Sequence, residues 1–566
     1  MPKLFKCYSI VLFLSLVSFQ AFGQASLVPS YHPVYEWLYM QRVKGDLPHY
    51  DYESLPLNRK DILAFLEDLN QNPDYQTGKE ARTLKSFFRE FNPDHLEENS
   101  THSLITNNSR LSFDRFKDWI WSDNEKHIYS YKDSSSFLIL DHGFGRRTML
   151  VNDDDEMRKA PYILNQHWRT YGAYRNSVGY HIEYIRAVPV GDQRIFEYDG
   201  FYSYNWKSLT PSQRQTNNYH YEAYVTAGYS IFEASIGRGN LKEGVGQTEN
   251  LAFSRSSIPF DWLKFKVGKK KIRYSFTHGT LSWPAINSVL PGDSTISTRN
   301  SPRRWVAHHK IIIQPSKRIT FAAYEMINYS NRGAEIAYLN PVNRYAFAEW
   351  ELQDQDNGWA GAYLIIRPFN FVEAYTELLI DDLGHRNDIF KKKEFPKTSR
   401  FARRYGLSVA TNRGIQFWSE YTRLDPFMYS HPRDLNAHTD KGIGLGSQIG
   451  PNADRSEVGI KVWGAGRSYL SMSYSYNRKG LDEFDSDGNR IFLAGASPND
   501  GRDLPIDRSN LFLDGDLHEW HRYLIKGSFE PKRGYILKLN FDVRKMVEGN
   551  QINDRAIFWA DFTVGF

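Results

Sequence analysis

Apolar and polar residues alternate with a period of two over most of this chain. In Ile557–Phe566, Phe558, Ala560, Phe562, Val564 and Phe566 share one side of an extended strand, and Trp559, Asp561, Thr563 and Gly565 share the other, because successive strand side chains point to opposite faces. The same rule divides Tyr219–Tyr229 into a Tyr/Ala/Val face and a face of His220, Glu222, Tyr224 and Thr226. Tyr469–Tyr476 sets Leu470, Met472 and Tyr474 against Ser471, Ser473 and Ser475; Leu537–Arg544 sets Leu537, Leu539, Phe541 and Val543 against Lys538, Asn540, Asp542 and Arg544. Charges recurring on the second face fit a wet lumen and argue against a dry sandwich interior. The alternation begins near Ser109 and, at about 10 residues per strand plus turns, predicts an all-β transmembrane β-barrel of roughly 16–18 antiparallel strands.

Residues 24 to about 100 read differently. Asn58 caps a predicted helix over Arg59–Leu69, with Ile62, Leu63, Leu66 and Leu69 at helical spacing. Thr77 and Glu80 form a capping-box pattern ahead of Leu84, Phe87, Phe88 and Phe91, and Tyr35–Val43 is a third candidate helix. Such short helices bury little core alone, so they are expected to pack on one another and on the barrel base as a small N-terminal α-helical bundle, in the periplasm. Polar segments at Ser282–Arg304, Asp381–Arg403, Asp425–Ser456 and Arg478–Glu519 predict extracellular loops; Ser230 and Pro315-Ser316 predict tight periplasmic turns.

Lys3 and Lys6 ahead of the apolar run Ile10–Phe19, then Ala21-Phe22-Gly23, predict a secretory signal peptide. The expected organisation is residues 1–23 signal peptide, 24–100 periplasmic helical bundle and 101–566 outer-membrane β-barrel. The single cysteine, Cys7, falls in the leader, which removes disulfides and thiolate metal sites from the mature chain. A mean hydropathy of −0.58 excludes a helical membrane protein but not a barrel, in which half of each strand faces away from lipid. Aromatics at 15% suit interfacial girdles. The net charge of +5 is spread out, with Lys269–Lys271 and Lys391–Lys393 read as loop charges, so no nucleic-acid partner is expected.

Candidate chemistry is sparse. His308 and His309 are adjacent on a strand and cannot jointly hold one ion. Asp381-Asp382 at a strand end could meet calcium or sugar hydroxyls, or simply be solvated. Glu483, Asp485, Asp487 and Gly488 start like a calcium loop, but the twelfth position is Ala494, where a bidentate Glu is required. Gly237, Arg238, Gly244 and Gly246 are followed by no helix and form no nucleotide cradle; they give tight backbone where a loop folds into or over the barrel. Ser254 lacks a nucleophile elbow. No metal, cofactor or catalytic group is expected. Sugar recognition uses aromatic faces and planar hydrogen-bonding groups, and Trp305, Glu325, Asn340, Tyr375, Glu377, Asp381, Asp382, Glu420, Tyr421, Tyr429 and His431 are the candidates at the rim and lumen.

Four stretches, in order, resemble the Wzi family of outer-membrane capsule-assembly proteins. They are Tyr35-Glu36-Trp37-Leu38 with Arg42, Gly45 and Leu55–Ile62; Gly237-Arg238 through Gly244, Gly246, Leu251, Ser254 and Ile258-Pro259-Phe260; His308, Glu325, Tyr338-Leu339-Asn340-Pro341 and Tyr375–Asp382; and Ser419-Glu420-Tyr421, Tyr429-Ser430-His431, Gly442, Gly444, Gly446, Gly450-Pro451 and Asp454. Where the family often carries a Trp-Gly turn, this chain has Lys242-Glu243-Gly244-Val245-Gly246. The resemblance implies a barrel of about eighteen strands with a periplasmic helical bundle, organising or attaching capsular polysaccharide or exopolysaccharide without catalysis. A terminal Phe566 resembles the signal that barrel assembly machinery reads in outer-membrane proteins. The expected partners are surface polysaccharide, outer-membrane lipid and that machinery, in the outer membrane of a Gram-negative bacterium. A porin or sugar-specific channel is the alternative, and a barrel hydrolase the third reading.

Overall fold

The computed structural model describes residues 25–92, 103–106, 110–152, 160–175, 177–199, 201–203, 218–283, 302–353, 355–381, 400–500, 511–547 and 554–565. The expected signal peptide, Lys391–Lys393 and Phe566 lie outside the described residues. Helix α1 (Val34–Lys44), strand β1 (Ser54–Leu55), α2 (Arg59–Asn70) and α3 (Gly78–Phe91) come first, then β2 (Ser103–Thr106), α4 (Phe113–Trp121) and β3 (His127–Lys132). Next are β4 (Phe137–Asn152), β5 (Tyr162–Tyr174), β6 (Val178–Val190), α5 (Ile195–Tyr198), β7 (Tyr219–Tyr229), β8 (Phe232–Gly239) and β9 (Lys242–Glu243). They are followed by β10 (Phe260–Lys269), β11 (Ile272–Leu281), β12 (Arg304–Ser316), β13 (Ile319–Ser330), α6 (Ile336–Leu339) and α7 (Tyr345–Glu351). Then come β14 (Asn357–Ile366), β15 (Val372–Asp381), β16 (Arg400–Ala410), β17 (Ile415–Leu424), β18 (Thr439–Asp440), β19 (Ile443–Gly444) and β20 (Ala453–Trp463). The chain finishes with β21 (Tyr469–Leu481), β22 (Glu483–Phe484), β23 (Arg490–Phe492), β24 (Asp516–Lys532), β25 (Tyr535–Met546) and β26 (Arg555–Val564).

Eighteen of these strands close into one antiparallel barrel, in which β26 pairs with β4 from Ala556↔Asn152 to Val564↔Phe144. Val225, Leu470, Met472, Leu539, Phe541, Phe558 and Phe562 are exposed on the outer face, whereas Glu222, Thr226, Ser475, Asn540 and Asp561 are buried inside. The period of two thus separates a lipid-facing band from a polar lumen, as a membrane-spanning barrel requires. Among the described residues no helix is long and apolar enough to cross a membrane; the strands make the crossing, their backbone groups paired around the closed wall.

Tight turns gather at one end. Ser230 (φ 55°) and Lys270 (φ 54°) sit in two of them, and Ser316↔Ile319 closes a third. The long connections lie at the other end. Strands reach a few residues further into the polar segments than the hydropathy pattern marks: β20 begins at Ala453, β21 runs to Leu481 and β24 starts at Asp516. Ladder pairing beyond the membrane needs no apolar side chains, so hydropathy underestimates strand length there. The alternation read from about Ser109 onward is corrected where helices interrupt it, at α4, α5, α6 and α7; in the first, Phe113–Trp121, Ser112 Oγ accepts from the Arg115 N–H at 3.2 Å, and the wall starts at Phe137.

The N-terminal helices form their own core and close the short-turn end. Asn58 caps α2, its Oδ1 accepting from the Asp61 N–H at 2.8 Å. Thr77 is the N-cap of α3 but makes no side-chain cap bond, and Glu80, the other half of the expected capping box, pairs with Lys44 Nζ at 2.7 Å. α1 is buried all round, with Gln41, Arg42 and Lys44 enclosed beside Trp37, Leu38 and Met40. A helix that hides its polar residues as well as its apolar ones has to meet charge partners elsewhere in the fold. It finds them on the barrel wall.

Candidate functional site

Residues 46–57 run into the lumen from the short-turn end and residues 240–259, between β8 and β10, run in from the other. They meet as a two-stranded sheet, Ser54↔Glu243 and Leu55↔Lys242, and together form a plug. Gly244 and Gly246 let the inner segment pass close to the wall. Both have positive φ (115° and 116°); a Cβ on Gly244 would lie 2.5 Å from Glu377 Oε1, and one on Gly246 would strike the Arg404 guanidinium. Only glycine meets both demands.

Charge pairs fasten the plug. Arg42 donates to both Glu53 carboxylate oxygens at 2.7 Å and to Glu373 of β15 at 2.7 Å; Arg367 completes the chain to Glu373 at 2.8 Å. Burial alone would raise the Glu53 carboxyl, but the Arg42 guanidinium outweighs it and holds the group below the usual carboxylate range. Glu243 sits between Lys264 (2.6 Å) and Lys310 (2.5 Å) of the wall. Lys242 donates to the Tyr52 carbonyl at 2.7 Å and lies 3.6 Å from the Tyr52 ring centroid; burial pushes its amine down to about 7. Removing one partner of a buried pair of this kind costs about 3–5 kcal/mol, because the other charge stays behind unmatched.

The sequence-selected residues divide between the two faces of the wall. Tyr375, Glu377, Asp381 and Glu420 all point inward and are buried. Glu420 accepts from the Gln247 N–H and from Thr248 Oγ1, each at 2.7 Å, and from the Tyr375 hydroxyl. Tyr324 donates to Glu377 at 2.8 Å, Tyr429 donates to the Leu251 carbonyl at 2.7 Å, and Asp381 accepts from the Tyr429 N–H at 3.3 Å. These groups hold the inserted segment. Ser254 and Pro259 are buried in it, the Ser254 N–H donating to the Leu445 carbonyl at 2.8 Å. Gly237 and Arg238 lie just inside the end of β8 at Gly239, and Arg238 reaches Asp261 at 3.2 Å.

Trp305, Glu325 and Tyr421 point the other way, onto the outer wall. Residues 331–353 fold back over that wall: Tyr345 stacks on His309 at 4.3 Å, Glu325 accepts from Arg344 Nε at 2.6 Å, and Pro341 accepts from the Tyr274 hydroxyl. Asn340 is exposed on this flap. Tyr421 donates to Asp454 at 3.1 Å. His431 lies half-buried in the loop after β17, and Asp382 lies outside the described residues. His308 and His309 face opposite sides, the first buried in the lumen and the second under the flap. Asp485 accepts from the N–H groups of Asp487 and Asn489 in an exposed turn between β22 and β23.

The other side of the lumen is less filled. Lys526 of β24 and Lys538 of β25 face inward and remain exposed to water. The sequence reading placed Lys538 and Arg544 on a polar face but not among the candidate residues; strand parity marked their side, and only the register shows their neighbours.

No protein-family model and no curated protein matches the chain. OprD and OccK3 of Pseudomonas aeruginosa align over 75% of this chain and 95% of theirs, at 9% and 10% identity with TM-scores of 0.40. Wzi of Escherichia coli, described as an outer-membrane protein involved in group 1 capsule assembly and a carbohydrate-binding β-barrel, aligns over 96% of this chain and 100% of its own, at 10% identity with a TM-score of 0.55. Over nearly its whole length, this chain has the fold of Wzi.

Proposed function

We propose that the protein is a non-catalytic outer-membrane barrel that organises or attaches capsular polysaccharide or exopolysaccharide at the cell surface. The observation that carries this reading is the built-in plug: a lumen crossed by residues 46–57 and 240–259 and locked by Arg42, Glu53, Glu373 and Glu243 suits a holder better than a wide pore. A fold shared along nearly the full length with a carbohydrate-binding capsule-assembly barrel supports it. In this reading the helical bundle is periplasmic, since short turns mark the periplasmic end of such barrels; residues 1–23 are a leader, and Phe566 is the mark recognised by the assembly machinery. Sugar contact falls to side chains that stay reachable from the long-loop end, His431 among them, while Tyr375, Glu377, Asp381, Glu420 and Tyr429 position the plug.

The test is staining of cell-bound against released polysaccharide in a strain lacking the gene. Polymer shed into the medium with synthesis intact is the expected result. Unchanged retention overturns the reading and favours the channel, for which the exposed Lys526 and Lys538 are the supporting observation; ion conductance in planar bilayers then measures it directly.

A further inference from the structure

At the long-loop end, the inner wall formed by β21, β24, β25 and β26 holds a cavity of about 370 Å³ lined by Lys479, His518, Trp520, Arg544 and Arg555, together with Leu481 and Met546. Among the described residues no acidic side chain lines it. The register stacks three arginines across neighbouring strands, Arg522↔Arg544 and Arg544↔Arg555. Like charges directly opposed on adjacent strands destabilise a sheet unless something of opposite sign lies between them. Arg522 has that counterpart in Asp542, at 2.8 and 2.7 Å. Arg544 and Arg555 form no ion pair among the described residues. Arg544 instead lies 5.1 Å from the Trp520 ring centroid, with its Nε enclosed and without a hydrogen-bond partner, and Arg555 lies 5.5 Å from the Tyr198 ring. Among the described residues, Asp554 accepts from the Met546 N–H at 2.8 Å and Asp516 pairs with His518 at 2.9 Å; Asp542 adds its field to Arg544 and Arg555 but accepts its hydrogen bonds from Arg522. Lys479 donates to the Ile449 carbonyl at 2.8 Å and adds a third cation to the lining.

We infer that this cavity binds the carboxylate of an acidic sugar residue, the anion seated between Arg544 and Arg555 and the pyranose ring against Trp520. The assignment rests on the polysaccharide reading above and names the class of polymer: a uronic-acid-bearing glycan. Guanidinium forks suit carboxylates, which they can bind through two parallel hydrogen bonds, and an indole offers a flat apolar face for a sugar ring. Position in the lumen excludes a lipid headgroup as the source of the anion. Lys526 and Lys538, further down the same wall, extend the positive field toward the short-turn end.

The test titrates the full-length detergent-solubilised protein with a polygalacturonate dodecamer and with its carboxyl-reduced, neutral counterpart. Tighter binding of the acidic probe is expected. The Arg544→Gln/Arg555→Gln pair should lower that affinity at least tenfold and leave binding of the neutral probe unchanged. Heat-modifiable migration shows that the variant barrel is folded, and the single variants serve if the pair does not fold. Equal affinity for the two probes, no binding of either, or wild-type affinity in a folded variant overturns the assignment. In cells the outcomes separate. Shedding in the deletion strain with full retention in the Arg544→Gln/Arg555→Gln strain sinks the site and leaves the attachment reading standing. Retention in the deletion strain sinks the attachment reading, while the titration still decides the site.

Discussion

Along β10 to β15 the inward charges are matched by the plug: Glu243 lies between Lys264 and Lys310, and Glu373 between Arg42 and Arg367. Along β24 to β26, Lys526 and Lys538 are reached by water, and Arg544 opposes Arg555 with neither in an ion pair among the described residues. The same alternating pattern builds both sides. The difference lies in what arrives from elsewhere in the chain. On one side a segment brings the complementary charges and is held there. On the other, Ile195, Phe196 and Tyr202 pack with Ile557 and Asp199 reaches Arg147, but among the described residues no segment brings a carboxylate into an ion pair with Arg544 or Arg555. A polar lumen is therefore not one environment. Where its charges are paired it fixes a plug, and where they are left over it is available to an outside ligand.

The sharpest way to break the comparison is Arg42→Ala. Glu53 and Glu373 would remain enclosed with their shared cation gone, and the plug should lose about 3–5 kcal/mol of docking stability. Limited proteolysis of the folded barrel reads this as fast cleavage within residues 46–57, since cutting follows the population of the opened state. Wild-type resistance in a folded variant would mean that the Arg42 pairs do not hold the plug.

A second, smaller effect comes from pH. Lys242, among Glu53, Arg255, Arg42 and Glu420, has its amine lowered by burial to about 7, against 10.5 when free. Between those values the undocked segment binds a proton that the docked segment does not, so docking gains stability as pH rises from about 7 toward 10.5 and is weakest below about 7. Protease resistance should therefore be greater at pH 9 than at pH 6, with the difference reduced in Lys242→Met. An unchanged difference in that variant would assign it to another group.

Much of this architecture is legible in the sequence. Tyr219–Tyr229 and Ile557–Val564 show their two faces directly, because a period of two maps onto lipid and lumen without knowledge of neighbours. Parity also shows that Glu420 and Tyr421, being adjacent, cannot share a face, and the structure sends one to the plug and the other to the outer wall. What the pattern cannot carry is pairing between distant segments. Arg42 meets Glu373 across 331 positions, and the burial of α1 depends on such partners, not on an apolar stripe. Tyr375, Glu377 and Glu420 have the chemistry of sugar ligands in isolation; the segment at 244–248 that occupies them arrives from another part of the chain. Arg544 and Arg555 each look like ordinary lumen charges until the register sets them side by side.

The smallest effect sharpens the contrast from the open side. Lys526→Gln removes an inward charge that faces water and, among the described residues, forms no ion pair. Water reaches that ammonium in the lumen and no enclosed carboxylate depends on it as an ion-pair partner among the described residues, so the change should stay within about 0.5 kcal/mol. On the plugged side, Lys310→Gln would strip Glu243 of one of its two cations in an enclosed site, with Lys264 left to carry the full pair. Thermal unfolding of the two variants side by side separates the environments: near-identity of Lys526→Gln with wild type beside a clear loss for Lys310→Gln is expected. Equal losses would mean that the two sides of the lumen are alike after all, and that the cations beside β24 and β25 are held by partners of their own and not left for a ligand.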